Sequence, residues 1–349
     1  MRRKLLMVLM VVGVLVASIS AGCAPAGTTG TGGQTGAQGQ KIVWTLDTYF
    51  PPPPGIYVSR SVQSFVDRVN KRLEGRFEIN PSYGSSLGVP GPEVAVALAQ
   101  GVFQCGFTAL PYLAGDIPVL GIAGLPSLLA NNKEALAAHS VLAQYYNSEL
   151  ESRGVRLIGN PWLFPKQGIW SKTPIRNVAD IKGMRFRVSS PEQTMMINAL
   201  GAIPVSLNMP EVYQALERGM LDAILGSTAT AMSVSAWEVL DYGIDVAFSG
   251  ADSGFLVSKS AWDALPGDIK AIIMEEALFT SNEQNWKSLA EEENDWATLG
   301  SRGLERITPA ANFADDMAKI AAPIWDSWAA SRGGVAAQAL GEVRDLLGK

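Results

Sequence analysis

Cysteine and histidine are almost missing from this chain. Its 349 residues hold two cysteines, Cys23 and Cys105, and one histidine, His139. The usual zinc or transition-metal cluster needs several imidazole or thiolate ligands, so this class is excluded. A Ser-His-Asp relay would depend on His139 alone. That residue stands among Ala137, Ala138 and Leu142 in a helical pattern, where a structural role is the simpler reading. No Ser-x-x-Lys occurs, and nothing singles out a carboxylate pair among the 33 acidic residues. Charge is scarce at 17% and leans acidic, with a net value of −5. Such a chain is not built to hold nucleic acid or an anionic membrane by charge. It also lacks an apolar run of the roughly 20 residues that a membrane-crossing helix needs.

What is present begins with an export signal. Arg2, Arg3 and Lys4 precede an apolar run over residues 5–17, too short to span a bilayer and sized for a signal sequence. Ser20-Ala21-Gly22-Cys23 follows and resembles the bacterial lipobox, in which the cysteine becomes the acylated first residue; Ser20 replaces the usual aliphatic residue. Residues 1–22 are therefore expected to be a lipoprotein signal peptide and Cys23 the lipidation site. Their removal takes three cations, leaving 25 Lys+Arg against 33 acids. Cys105 is then alone, without a disulfide partner, and its strand-like surroundings predict an inert buried thiol.

Residues 23–40 are rich in Gly, Thr and Gln, lack large apolar side chains and read as a flexible tether. From residue 41 onward strands and amphipathic helices alternate. Val58, Val62, Phe65, Val66, Val69 and Leu73 recur at three- and four-residue steps, and strands are expected at 42–46, 76–83, 105–110 and 155–159. This order predicts a mostly parallel α/β sheet. A second unit of the same kind follows over residues 168–225, and a strand at 255–258 returns towards the first. A long helix over 266–303 carries Trp286, Trp296 and Leu299 on one side and Glu291-Glu292-Glu293 on a solvated face. The pattern predicts two lobes, one from 41–165 plus about 250–285 and the other from 166–249 plus about 286–349. The long helix bridges both, and the ligand cleft lies between them.

The most informative run is Met184 to Glu192. Alternation sets Met184, Phe186 and Val188 on one face and Arg185, Arg187 and Ser189 on the other. Ser190 suits an N-cap, Pro191 the first helical position, and Gln193 can complete a capping box. Arg187 thus ends a strand beside a helix N-terminus, a setting that suits a carboxylate or a structural ion pair. Arg185 is expected to be the exposed partner.

Asp180-Ile181-Lys182-Gly183-Met184-Arg185-Phe186-Arg187-Val188 resembles the D-L-K-G-x-K-I-R-V segment of solute-binding proteins of tripartite ATP-independent periplasmic (TRAP) transporters. Leu200-Gly201-Ala202-Ile203-Pro204-Val205 and the run from Glu211 to Gly219 continue the likeness, with Leu221-Asp222 closing it. The resemblance covers roughly residues 41–340. It implies a two-lobed periplasmic-binding-protein (Venus-flytrap) fold of α/β class, binding without chemistry, no cofactor or metal, membrane transporter subunits as partners, and Arg187 gripping the ligand carboxylate. Glu93, in a looser match, joins the implied ligand residues. The family's D-G-Q-E-N-P appears as Asp222-Ala223-Ile224-Leu225-Gly226-Ser227 and its G-F-R as Phe164-Pro165-Lys166-Gln167. Lys166, Gln167 and Ser227 then become candidate ligand contacts, Trp162, Phe164 or Trp170 a candidate wall, and an aromatic or branched-chain monocarboxylate the expected ligand. Two rival readings stay open, an ABC-type binding lipoprotein and an exported α/β enzyme.

Overall fold

Trp44 and Leu46 are buried on strand β1 (Ile42–Thr48). Helix α1 (Tyr57–Arg72) lays Val58, Val62, Phe65, Val66 and Val69 into the same core, as their spacing requires. The structure is a computed structural model and describes residues 40–163 and 166–349. The expected leader, most of the tether, Cys23 and Phe164 lie outside the described residues.

The first unit continues with β2 (Phe77–Ser82), α2 (Val94–Ala99), β3 (Cys105–Ala109), α3 (Asn132–Glu151) and β4 (Val155–Leu163). Two 3₁₀ stretches, Leu110–Leu113 and Pro118–Gly124, link β3 to α3. The second unit holds β5 (Gln167–Ser171), β6 (Arg185–Val188), α4 (Pro191–Ala199), β7 (Ile203–Ser206), α5 (Met209–Glu217), β8 (Ala223–Gly226), α6 (Thr228–Ser233) and β9 (Tyr242–Ser249). The chain returns through β10 (Asp252–Ser258), α7 (Lys259–Asp263) and α8 (Gly267–Ser301), and finishes with β11 (Glu305–Ile307), α9 (Phe313–Arg332) and α10 (Gly334–Leu347).

Two sheets result, ordered β2-β1-β3-β10-β4 and β11-β9-β5-β8-β6-β7. They are less parallel than the βα alternation predicts. β10 runs antiparallel to β3 and β4, and β5 runs antiparallel to β8 and β9. The cause is topological: each sheet takes in a strand at the points where the chain passes from one unit to the other. Helix α8 packs against α1 and β4 on one side of the molecule and α6 and β11 on the other, so it bridges both lobes. The last helix departs from the expected grouping, for α10 packs against α3 of the first lobe.

Aromatic burial fixes the first lobe. Phe65, Phe107, Trp162 and Phe255 form one cluster, with the Phe107–Trp162 centroids 4.4 Å apart and those of Phe65–Phe255 4.2 Å apart. Each such side chain is worth about 1.5–3 kcal/mol of transfer energy. The Cys105 thiol is buried, and burial pushes its pKa up, consistent with an inert role. His139 is buried as well, its Nε2 2.5 Å from Asp252 Oδ1, while the Tyr146 hydroxyl donates to Asp252 Oδ2 at 2.8 Å. This histidine ties α3 to the start of β10.

Two expectations for α8 fail. Trp286 is 87% exposed whereas Trp296 is buried. Glu292 is buried rather than solvated, because a helix lodged between two lobes has no single wet face.

Candidate functional site

β6 lies between β8 and β7, parallel to both, and Phe186 and Val188 are buried in the core. The turns that flank it need glycine: Gly183 has φ +78°, Gly201 has φ +71°, and the Gly183 amide donates to the Gly201 carbonyl at 2.9 Å. The alternation of β6 then presents Arg185 and Arg187 on the other face.

Their environments differ. Arg185 meets Asp222 twice, Nη2 to Oδ1 at 2.6 Å and Nε to Oδ2 at 2.9 Å. Its backbone amide adds a third bond to the same carboxylate at 2.8 Å. The Arg185 hydrogen bonds hold the Asp222 carboxyl below its usual range. Arg187 is only 3% exposed, yet among the described residues it pairs with no carboxylate. Its Nε donates to the Leu207 carbonyl at 3.1 Å and its Nη2 to the Tyr112 hydroxyl at 3.3 Å. A buried cation with only neutral partners is costly unless a ligand completes it.

Ser190 caps α4 as its sequence predicts, accepting from the Gln193 amide at 3.3 Å. The reciprocal bond is shifted: Gln193 Oε1 accepts from the Ser189 amide at 2.8 Å and from the Ser189 hydroxyl at 3.0 Å. Arg187 therefore stands one residue before a pinned turn that opens a helix.

A cleft of ≈ 320 Å³ opens beside Arg187. The first lobe contributes Tyr49, the Ser85–Pro92 loop region and Tyr112. The second contributes Ser189 and the stretch from Ser206 to Glu211. A smaller recess of ≈ 30 Å³ shares Tyr49, Tyr112, Arg187 and Ser189 with it and adds Gln167, Gln193 and Thr230. The volume falls at the lower end of small-molecule sites, about 300–1,000 Å³. Burial and the neighbouring Tyr112 hydroxyl hold the Tyr49 phenol well above its usual range, with Arg187 pulling the other way. Glu211 is the one carboxylate in the cleft wall, and its Oε2 accepts from the Asn208 amide at 3.1 Å to cap α5.

The predicted site residues divide. Arg187 and Gln167 reach the same recess. Lys166 does not: its ammonium lies 2.6 Å from Asp245 Oδ1 and 3.6 Å from Glu292 Oε1. Burial raises the Asp245 carboxyl, but Lys166 and Arg306 outweigh it, and the net direction is down. Trp162 belongs to the aromatic core and donates its Nε1 to Ser281 Oγ at 3.1 Å, so it forms no cleft wall. Trp170 is buried too, stacked at 4.7 Å on Trp296 and bonded to the Gly226 carbonyl at 2.9 Å. Ser227 is fully buried and caps α6. Glu93 is exposed and lies outside the cleft wall.

The apolar side of the cleft comes instead from Val89, Pro90, Leu207, Met209 and Pro210. Tyr49, Tyr112 and these loops went unnoticed in the sequence. A usable signal existed, because Tyr49, Ser85, Tyr112, Arg187 and Leu207 all sit at or just beyond the carboxyl ends of β1, β2, β3, β6 and β7. Another run was overlooked. Gly84-Ser85-Ser86-Leu87-Gly88 spells the Gly-x-Ser-x-Gly of a nucleophile elbow. Ser86 sits in a turn, its hydroxyl 2.6 Å from that of Ser82, and the next α-helix begins only at Val94, so the elbow geometry is absent.

Comparison with known proteins agrees with the fold. Residues 53–331 match the model of bacterial extracellular solute-binding protein, family 7. A solute-binding protein of Albidiferax ferrireducens is 30% identical over 227 residues, 63% of this chain and 66% of that one. A monocarboxylate 2-oxoacid-binding periplasmic protein of Nostoc sp. is 26% identical over 248 residues, 66% of this chain and 64% of that one. The chain thus spans just under two thirds of the length of these relatives. The crystal structure of a Bordetella pertussis extracytoplasmic solute receptor binding pyroglutamic acid superposes with TM-score 0.81 at 26% identity, covering 86% of this chain and 99% of that one. A Rhodoferax ferrireducens TRAP periplasmic solute-binding protein with bound malonate shares the fold at TM-score 0.80 and 23% identity, over 87% of this chain and 98% of that one. With a family match across most of its length and the two-lobed architecture to go with it, the chain belongs to bacterial extracellular solute-binding protein family 7.

Proposed function

We propose that this protein is the extracytoplasmic receptor of a TRAP transporter and that it captures a small monocarboxylate on Arg187, releasing it unaltered to the membrane subunits. The observation that carries the reading is the buried guanidinium without a carboxylate partner among the described residues. Its count of charges favours one acid group over two. Arg185 is neutralised by Asp222, Lys166 by Asp245 and Glu292, and Glu211 on the cleft wall would repel a second carboxylate. The apolar wall suits a branched or cyclic hydrocarbon body. The names of two relatives, one a monocarboxylate 2-oxoacid binder and one a pyroglutamic acid receptor, point the same way. Acylation of Cys23 would tether the receptor at the membrane surface, and an ion gradient would drive uptake.

A thermal-shift panel tests the reading. L-Pyroglutamate, 4-methyl-2-oxopentanoate and benzoate should include at least one stabiliser, since ligand at 100 times its dissociation constant adds about 2.7 kcal/mol. Malonate and succinate should do less. Stabilisation by dicarboxylates, sugars or amines alone, with no monocarboxylate effective, would refute the proposal.

A further inference from the structure

Tyr112 sits in the 3₁₀ stretch after β3, in the lobe opposite Arg187, and its hydroxyl accepts from Arg187 Nη2 at 3.3 Å. This is the one hydrogen bond by which Arg187 touches the other lobe among the described residues. The phenol is held firmly in that orientation. A Cβ built on Gly91 would fall 2.4 Å from Tyr112 Cδ2, so the ring lies directly against a backbone that only glycine leaves open. On its other side stands Tyr49, with ring centroids 5.3 Å apart.

Resting on the monocarboxylate reading above, we infer that Tyr112 is the cross-lobe hydrogen-bond donor to the bound carboxylate and thereby couples occupancy of Arg187 to closure of the cleft. The chemistry follows from the donor inventory. A guanidinium carries only donors, so the contact with Arg187 uses an oxygen lone pair of Tyr112 and leaves the phenolic proton to be given elsewhere. A carboxylate entering beside Arg187 accepts from the guanidinium with one oxygen and from Tyr112 with the other. Both bonds are then charge-assisted, and shorter and stronger than the present neutral-acceptor contact. A ligand drives closure only through contacts that the open form lacks, and a bond from each lobe to one carboxylate is such a contact. Pro90-Gly91-Pro92 acts as the backrest that keeps the ring aimed.

The test uses the monocarboxylate that stabilises the wild-type protein best in the panel above. Calorimetry gives affinity, and small-angle scattering gives the change in radius of gyration at saturation. Tyr112→Phe should stay folded but bind about 10- to 100-fold more weakly and lose most of the ligand-induced compaction. Gly91→Ala, which displaces the ring while keeping the hydroxyl, should show the same pair of defects. Wild-type affinity and compaction in Tyr112→Phe, together with lost binding in Arg187→Ala, would overturn this inference and leave the functional reading intact. Failure of every monocarboxylate to bind the wild-type chain would overturn both.

Discussion

Arg185 and Arg187 stand two residues apart on β6, and their surroundings give them different tasks. Asp222 binds the first through three hydrogen bonds, which locks β6 to the residue preceding β8. The second is buried with neutral partners, which is why we propose it as the ligand's anchor. Alternation and the cap at Ser190 placed Arg187 at a strand end beside a helix, and only the family resemblance of the Asp180–Val188 run separated it from a structural ion pair. Lys166 was misleading for a physical reason: a lysine beside a lobe crossing looks the same whether it faces the cleft or pairs with a distant Asp245. A different buried charge yields a stability prediction. Asp47 is 3% exposed with Oδ1 lacking a hydrogen-bond partner, and burial pushes its pKa from 3.8 up to about 6. Between those values the folded state binds more protons than the unfolded one, so the Asp47 contribution to stability falls as pH rises through the window. Asp47→Asn should therefore stabilise the protein by about 1–2 kcal/mol at pH 7 and flatten the pH dependence of Tm between pH 4 and 6. A variant less stable than wild type at pH 7 and equally pH-dependent would contradict this account of Asp47.

α1 was readable from its strong periodicity and α8 from its length, the latter within two residues at each end of its expected span although its faces were misassigned. β9 and β11 were not. β9 mixes polar and apolar residues without clean alternation, and β11 has only three residues, Glu305–Ile307, whose pairing with β9 supplies its structure. The end of the chain was misplaced for a similar reason, since an amphipathic helix declares that it has a buried face and not where that face docks. In α10, Ala336, Ala339, Leu340 and Val343 are buried, and the helix lies on α3 and the Pro118–Gly124 stretch. This docking is predicted to be structural and independent of the ligand. Leu340→Ala should lose about 2–5 kcal/mol in urea unfolding while the folded fraction keeps the wild-type dissociation constant. A loss below 0.5 kcal/mol, or a large change in affinity, would show that α10 has another role.

Across the whole molecule the cleft collects the loops that follow the carboxyl ends of β1, β2, β3, β6 and β7, parallel strands of the two sheets. Fold class, lobes and the bridging helix followed from the order of elements. The walls of the cleft did not, because Tyr49, Tyr112, Leu207 and Met209 come together only when separate loops converge. What unites the scales is the proposal that the buried, carboxylate-free Arg187 is the ligand's anchor. Isothermal calorimetry of the wild type and Arg187→Ala, titrated with the best monocarboxylate of the panel, tests this most directly. Removing one member of a buried charge pair costs about 2–5 kcal/mol. The variant should therefore bind about 30- to 4,000-fold more weakly while circular dichroism shows the fold intact. Equal affinity in the folded variant would contradict the account.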